Sequence, residues 1–233
     1  MLMAPQTDWT DEVVQVARTL VRTLDRRVVP RSLFEGTITK GHYRDWGKQV
    51  FLYVKVTPWC LSQSGRRLKR WSRPHAQIAE LLLTKQLEEQ AHDQWILSDL
   101  LHLGCSRAEV EGATPYGAVK TYLASTCFQA EEGSPYSILG TAMVLEFLSE
   151  HRAGMAAANL VAKSEIPGIS NAISFISRHG QLDGGHVGEG LRLFRGISCP
   201  KAQAAILASA KLTASLVPSF FPKPKHGVGR RAL

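Results

Sequence analysis

Hydrophobic positions in this chain recur every three or four residues and almost nowhere alternate, a pattern that predicts helices rather than strands. Val13, Val14, Ala17, Leu20, Val21 and Leu24 make one stripe over 11–24, preceded by a capping-type residue, Thr10 or Asp8. Pro30 is expected to stop this helix. A second helix starts near Thr39 and turns Val50, Phe51 and Val54 inward, with Pro58 either bending it or standing near its end. Ser64–Trp71 is basic and polar and reads as a connection. From Ser72 or Pro74 one long helix is expected to reach Leu103, where Gly104 supplies a C-terminal cap. Thr114 and Pro115 open another, which ends before Glu132-Gly133-Ser134-Pro135. Ser137–Val161 is apolar and rich in small residues, as suits a central helix packed closely on all sides. Ser170–Leu193 follows Pro167-Gly168, and Cys199-Pro200 opens a last helix to Leu216. Seven helices with short connections, without a convincing strand or an internal repeat, make an all-α, up-and-down bundle. Residues 1–217 read as one domain and 218–233 as a basic C-terminal tail.

Composition adjusts this picture only slightly. A chain of 233 residues, 44% hydrophobic and 21% charged, is ordinary globular material of one-domain size. No apolar run reaches the roughly 18 residues that a membrane-spanning helix needs, and Met1–Trp9 has no apolar leader core. A cytoplasmic protein with no membrane partner is expected. Cys60, Cys105, Cys127 and Cys199 stand alone, so they read as reduced, buried small hydrophobes rather than a disulfide framework. The net charge of +8 is concentrated at Arg66, Arg67, Lys69, Arg70 and Arg73 and again in the tail. Neither cluster carries interleaved aromatic residues beyond Trp71 or any nucleic-acid motif, so a solvated surface is expected and no nucleic-acid partner.

The chemistry sits on three of the expected helices. Glu89-Gln90-Ala91-His92 is a Glu-x-x-His element. At about 100° per residue its two ends lie about 60° apart and can reach one point. His179, Asp183 and His186, spaced by four and three, share one helix face in the same way. Between them Glu146 lies inside Ala142-Met143-Val144-Leu145-Glu146-Phe147-Leu148, where a lone carboxylate is costly unless it is paired or binds a metal. Glu150, one turn later, can reach solvent, so Glu146 is the acid that calls for a partner. Three imidazoles and three carboxylates on three helices are what helical bundles use to hold a pair of iron or manganese ions. Imidazole with carboxylate suits iron, whereas isolated cysteines do not suit structural zinc or an iron–sulfur cluster.

These residues resemble the haem-oxygenase-like di-iron oxidases, also called iron-containing redox enzymes. The resemblance is carried by Glu89-x-x-His92 followed by Trp95, Asp99-Leu100 and Leu103-Gly104, then Glu146, then His179-x-x-x-Asp183-x-x-His186. The intervals of 54 residues from His92 to Glu146 and 33 from Glu146 to His179 fit that layout, and the similarity extends over roughly Ser32–Leu193. The resemblance implies a seven-helix, haem-oxygenase-like bundle in which Glu89, His92, Glu146, His179, Asp183 and His186 bind two Fe(II) ions. Manganese is the alternative metal and O2 the co-substrate. Many such relatives take the first Glu from two turns before the His, where this chain has Lys85; Glu89 or Glu88 then serves, with Glu89 preferred. Gly184-Gly185 falls amid the ligand helix, and each glycine costs about 1 kcal/mol relative to alanine, so weak affinity for the second iron is expected. The implied activity is oxidation of a small molecule in a biosynthetic pathway: N-oxygenation of an amine or amino acid, or oxidative C–C or C–H cleavage of an amino or fatty acid. The substrate arrives free or on a carrier, and an external electron donor and a homodimer both fit this reading.

Two other classes compete. One is a metal-free enzyme on the same bundle, either a cofactor-independent oxidase or a thiaminase-like hydrolase, the latter needing a reactive cysteine near an acid. Cys60 and Cys127 show no obvious partner for that role, and Asp11–Arg27 holds no histidine to ligate haem. The other is a non-catalytic helical interaction protein that docks through Arg66–Arg73. Tyr53, Trp95, Tyr136 and Phe147 are candidate pocket walls, and Lys85 or Arg178 candidate receptors for a substrate carboxylate; core and surface roles compete for each.

Overall fold

The bundle begins where the apolar stripe places it. In the computed structural model, which describes residues 8–70, 75–182 and 185–224, helix α1 (Trp9–Arg26) starts with Asp8 accepting the Thr10 N–H at 3.2 Å. Val13, Ala17, Leu20, Val21 and Leu24 are buried along it. Arg27 is extended (φ −88°, ψ 137°) and turns the chain into α2 (Val28–Glu35). Pro30 therefore does not stop α1. It sits in the first turn of α2, where a helix has no partner for the missing N–H.

Helix α3 (Lys40–Val54) starts at Thr39, whose hydroxyl accepts the His42 N–H at 3.2 Å. Helix α4 (Thr57–Lys69) takes Pro58 in its first turn and continues through the stretch expected to be a connection. Local polarity misleads there, because Cys60, Leu61, Ser64, Gly65 and Leu68 bury one face of the helix. Arg67 is also engaged. Its guanidinium donates to the carbonyls of Gln129 (3.0 Å), Ala130 (2.9 Å), Glu132 (3.4 Å) and Gly133 (2.7 Å), at the C-terminal end of α8 (Gly117–Glu131). Unpaired carbonyls and the negative end of the helix dipole make that end a natural seat for a cation. Trp71 and Arg73, the rest of that cluster's expected contact, lie outside the described residues.

The long helix expected from Ser72 or Pro74 to Leu103 is two helices, α5 (Ala76–Glu88) and α6 (His92–His102). Between them Ala91 is left-handed, with φ 68°. Nothing in the local sequence favours a break, since alanine is the best helix former. The cause is tertiary: α5 packs on α4, whereas α6 packs on α3 and α10 (Ser174–Leu182). The helix expected over Ser170–Leu193 is likewise divided, into α10 and α11 (His186–Arg195), with Gly185 at φ 107° before α11. A short helix α7 (Arg107–Glu111) carries a Ser106/Glu109 capping box.

Helix α9 (Ser137–Lys163) lies at the centre, against α12 (Pro200–Leu216), α10, α1 and α2. Glycines permit close backbone approaches to its neighbours. A Cβ on Gly140 would fall 2.0 Å from the Ile206 carbonyl oxygen of α12, and one on Gly180 would fall 2.6 Å from the Gly154 nitrogen across the α9–α10 contact. After α12 the chain stays in the bundle: Pro218, Phe220 and Phe221, expected in the tail, are buried. Among the described residues there is no strand, and no helix is long and apolar enough to cross a membrane.

Candidate metal centre

The α5–α6 break builds the site. Glu89 caps the end of α5, His92 is the first residue of α6, and left-handed Ala91 stands between them. Left-handed backbone costs a non-glycine residue about 1–2 kcal/mol, and strain of this kind persists where surrounding structure imposes it, often at functional sites. Its result is convergence: Glu89 Oε2 lies 2.9 Å from His92 Nδ1. The angle of this close contact falls short of a regular hydrogen bond, so Glu89 is an ion-pair neighbour of the buried His92 Nδ1. His179 approaches from α10. Its Nδ1–H donates to the Phe175 carbonyl at 2.8 Å, which fixes the ring and leaves Nε2 as the free lone pair. One donor atom each from Glu89, His92 and His179 lie within 4.8 Å of one another.

Packing holds these rings in place. Trp95 stacks on His92 with centroids 4.0 Å apart, and the Arg178 guanidinium lies 4.8 Å over Trp95. The His92 and His179 rings meet edge-on at 4.9 Å. Asp99, on α6 and 1% exposed, accepts the Ser174 N–H (2.9 Å), the Ser174 hydroxyl (2.7 Å) and the Phe175 N–H (2.9 Å). A carboxylate of the His92 helix thus caps the start of the His179 helix. Burial pushes Asp99 above the ordinary aspartate range although these hydrogen bonds pull the other way.

Glu146 has the partner its apolar surroundings demand. Its Oε1 accepts from Lys85 Nζ at 2.7 Å, and both side chains are 16% exposed. Burial works against the Lys85 ammonium, but Glu146, Glu88 and Glu89 outweigh it and hold the group above its ordinary pKa. Burial would likewise raise Glu89, yet neighbouring His92, His179 and Lys85 keep it below the ordinary glutamate value. Lys85, Glu89, Glu146 and His179 all line one cavity of about 180 Å3 whose wall is otherwise mostly apolar.

Of the six sequence-derived ligands, the structure gathers Glu89, His92 and His179 and sets Glu146 on the same cavity. Asp183 lies outside the described residues, as does the side chain of His186, whose backbone opens α11. Glu88 is exposed, which leaves Glu89 as the acid of the Glu-x-x-His pair. Tyr53 lines the cavity; Trp95 instead backs His92, Phe147 stacks on His151 at 4.0 Å, and Tyr136 contacts His75. Lys85 rather than Arg178 faces the cavity. The capping role of Asp99 was missed, although an acid amid Ile96, Leu97 and Leu100 signals a buried, hydrogen-bonded carboxylate. Two imidazoles and a carboxylate converging on one point fit an iron or manganese ion by the chemistry of the donor set.

Solved structures share this architecture at low identity. A domain of unknown function with a haem oxygenase-like fold from Shewanella denitrificans aligns with TM-score 0.77 at 18% identity, covering 91% of this chain and 90% of that one. A TenA homologue from Pseudomonas syringae pv. tomato aligns at 0.75 and 8%, covering 91% and 90%. One from Pyrococcus furiosus aligns at 0.69 and 12%, covering 91% and 97%. No curated protein matches the chain significantly. The sequence pattern of the iron-containing redox enzymes matches residues 44–217, a span that contains every cavity-lining acid and histidine described above, and the chain belongs to that family.

Proposed function

We propose that the protein is a non-haem di-iron oxygenase or oxidase that uses O2 to oxidise a small organic molecule held in the cavity. The observation that carries this reading is the convergence of Glu89, His92 and His179, with one donor atom of each within 4.8 Å of the others. These three would hold one ion, and Glu146 with Asp183 and His186 would complete the second position. When bound, two reduced ions supply the electrons and the open coordination sites that O2 requires. The protein's part is placement. Trp95 covers one face of His92, Phe175 fixes the His179 ring, and the Asp99 cap ties their two helices together. The mostly apolar wall lowers the local dielectric around these charged groups, which strengthens the electrostatic interactions among them.

A thiol-dependent hydrolase has less support. No cysteine is among the described residues that line the cavity, and burial pushes the Cys60 and Cys127 thiols up, away from the reactive thiolate. The test is anaerobic loading with Fe(II) followed by metal analysis. Two irons per chain, lost in part by His92→Ala and by His179→Ala, are expected; a protein that retains no iron, or binds it equally without either histidine, overturns the proposal.

A further inference from the structure

Lys85 occupies a costly place for a cation. Its ammonium and the Glu146 carboxylate meet at 2.7 Å, each side chain 16% exposed, on the wall of the cavity that Glu89 and His179 also line. Among the described residues the other side chain on that wall with a permanent positive charge is Arg152. Arg152 is already committed: Nε donates to Asp25 Oδ1 at 2.9 Å, Nη2 to Asp25 Oδ2 at 2.5 Å, and Nη1 to the His151 carbonyl at 2.8 Å. Arg178 lies over Trp95 and not on this wall. The remaining surface is dominated by side chains such as Phe34, Trp46, Tyr53, Tyr122, Phe175 and Phe220.

A metal ion on Glu146 and the Lys85 ammonium compete for one negative charge. Once the ion takes it, a largely buried ammonium loses the anion it is hydrogen-bonded to and keeps only the through-space attraction of Glu88 and Glu89, which is unfavourable. An acidic group entering from the cavity restores the balance, a neutral group does so poorly, and an amine makes it worse. We propose that metal binding at Glu146 hands Lys85 over to the acidic group of the substrate, so that the cavity selects an apolar carboxylic acid and admits it well only after the metal is in place. This rests on the di-metal reading above and adds to it the substrate class, the order of binding and Lys85 as the residue that sets specificity.

The test is calorimetry on the full chain under anaerobic conditions, metal-free and loaded with Mn(II), with phenylpropanoate as the acid and phenylpropylamine as its matched amine. The loaded protein should bind the acid at least about tenfold more tightly than the metal-free protein does, and more tightly than it binds the amine. Lys85→Met should retain Mn(II) yet lose about tenfold in affinity for the acid, the loss of one charge-assisted hydrogen bond. Lys85→Gln, which can still donate to Glu146, serves if the methionine variant does not fold, and Lys85→Arg should keep the preference for acid over amine. Equal acid binding by wild type and the uncharged variants overturns the inference, because the acid would then need only the metal. So does equal binding by metal-free and loaded protein. If wild type takes up no Mn(II) or Fe(II), the di-metal reading falls and this inference with it; normal metal uptake with indifference to Lys85 removes the inference alone.

Discussion

Asp99 and Ser174 share two hydrogen bonds across a helix boundary: one carboxylate oxygen accepts both the Ser174 N–H at 2.9 Å and its hydroxyl at 2.7 Å. The second oxygen takes the Phe175 N–H, and Phe175 supplies the carbonyl that orients His179. One buried side chain on the His92 helix thereby fixes where the His179 helix begins and how its imidazole is presented. Asp99→Ala would strand those donors, and each buried donor left unpaired costs about 1–3 kcal/mol. Urea unfolding of the metal-free protein should show a loss of about 3 kcal/mol, and Fe(II) affinity should fall at least tenfold. Unchanged iron affinity in a folded Asp99→Ala protein would show that the cap does not position His179.

The residue after His179 allows α10 to lie directly on α9. A methyl group at Gly180 would meet backbone atoms of Gly154 at 2.6 and 2.9 Å, and backbone yields less readily than a side-chain tip. Gly180→Ala should therefore destabilise the protein by about 1–3 kcal/mol, the usual cost of overpacking, and weaken metal binding by shifting His179. Gly188, inside α11, is the contrast. Its nearest neighbour to an added Cβ is Arg192 Nη1 at 3.9 Å, so Gly188→Ala should gain up to about 1 kcal/mol from helix propensity alone. Paired thermal melts of the two variants, moving in opposite directions, check both claims.

These glycines also show where sequence reasoning stops. The apolar stripe locates α1 and the apolar, small-residue run locates α9, while Thr39, Thr114-Pro115 and Cys199-Pro200 place the starts of α3, α8 and α12 to within a few residues. The pairing of Glu89 with His92 is legible in their three-residue spacing, although the structure brings them together across a break and not on one helix face. Missing from the sequence is the break at Ala91, since alanine announces no turn and the conformation is imposed by what α5 and α6 pack against. The Lys85–Glu146 pair is hidden for a related reason: 61 residues separate the partners, and only the fold makes them neighbours.

Acid should loosen the metal-free protein through Glu89. Its folded-state pKa lies below the ordinary value because His92, His179 and Lys85 outweigh the burial that would raise it. The unfolded chain then binds the proton first as pH falls, so this stabilisation is present above the ordinary glutamate pKa of about 4.3 and is lost as pH drops through the depressed folded value. Urea midpoints measured from about pH 6 down to about pH 3 should fall less steeply in Glu89→Gln than in wild type. Identical slopes would mean that Glu89 does not interact with His92, His179 and Lys85 in solution.

Ala91 permits the sharpest test of the break itself. At φ 68° an alanine pays about 1–2 kcal/mol that glycine does not, while glycine returns about 0.5–1 kcal/mol of that through its freer unfolded chain. Ala91→Gly should thus stabilise the metal-free protein by about 0.5–1 kcal/mol and leave Fe(II) stoichiometry unchanged, because the turn that joins Glu89 to His92 is retained. Ala91→Val should do the opposite, since a β-branched side chain tolerates left-handed backbone least. Were residues 76–102 one continuous helix, the glycine variant would instead lose about 1 kcal/mol, as glycine does in any helix interior. The sign of that single stability change therefore decides whether Glu89 and His92 are brought together by a break or merely share a helix face.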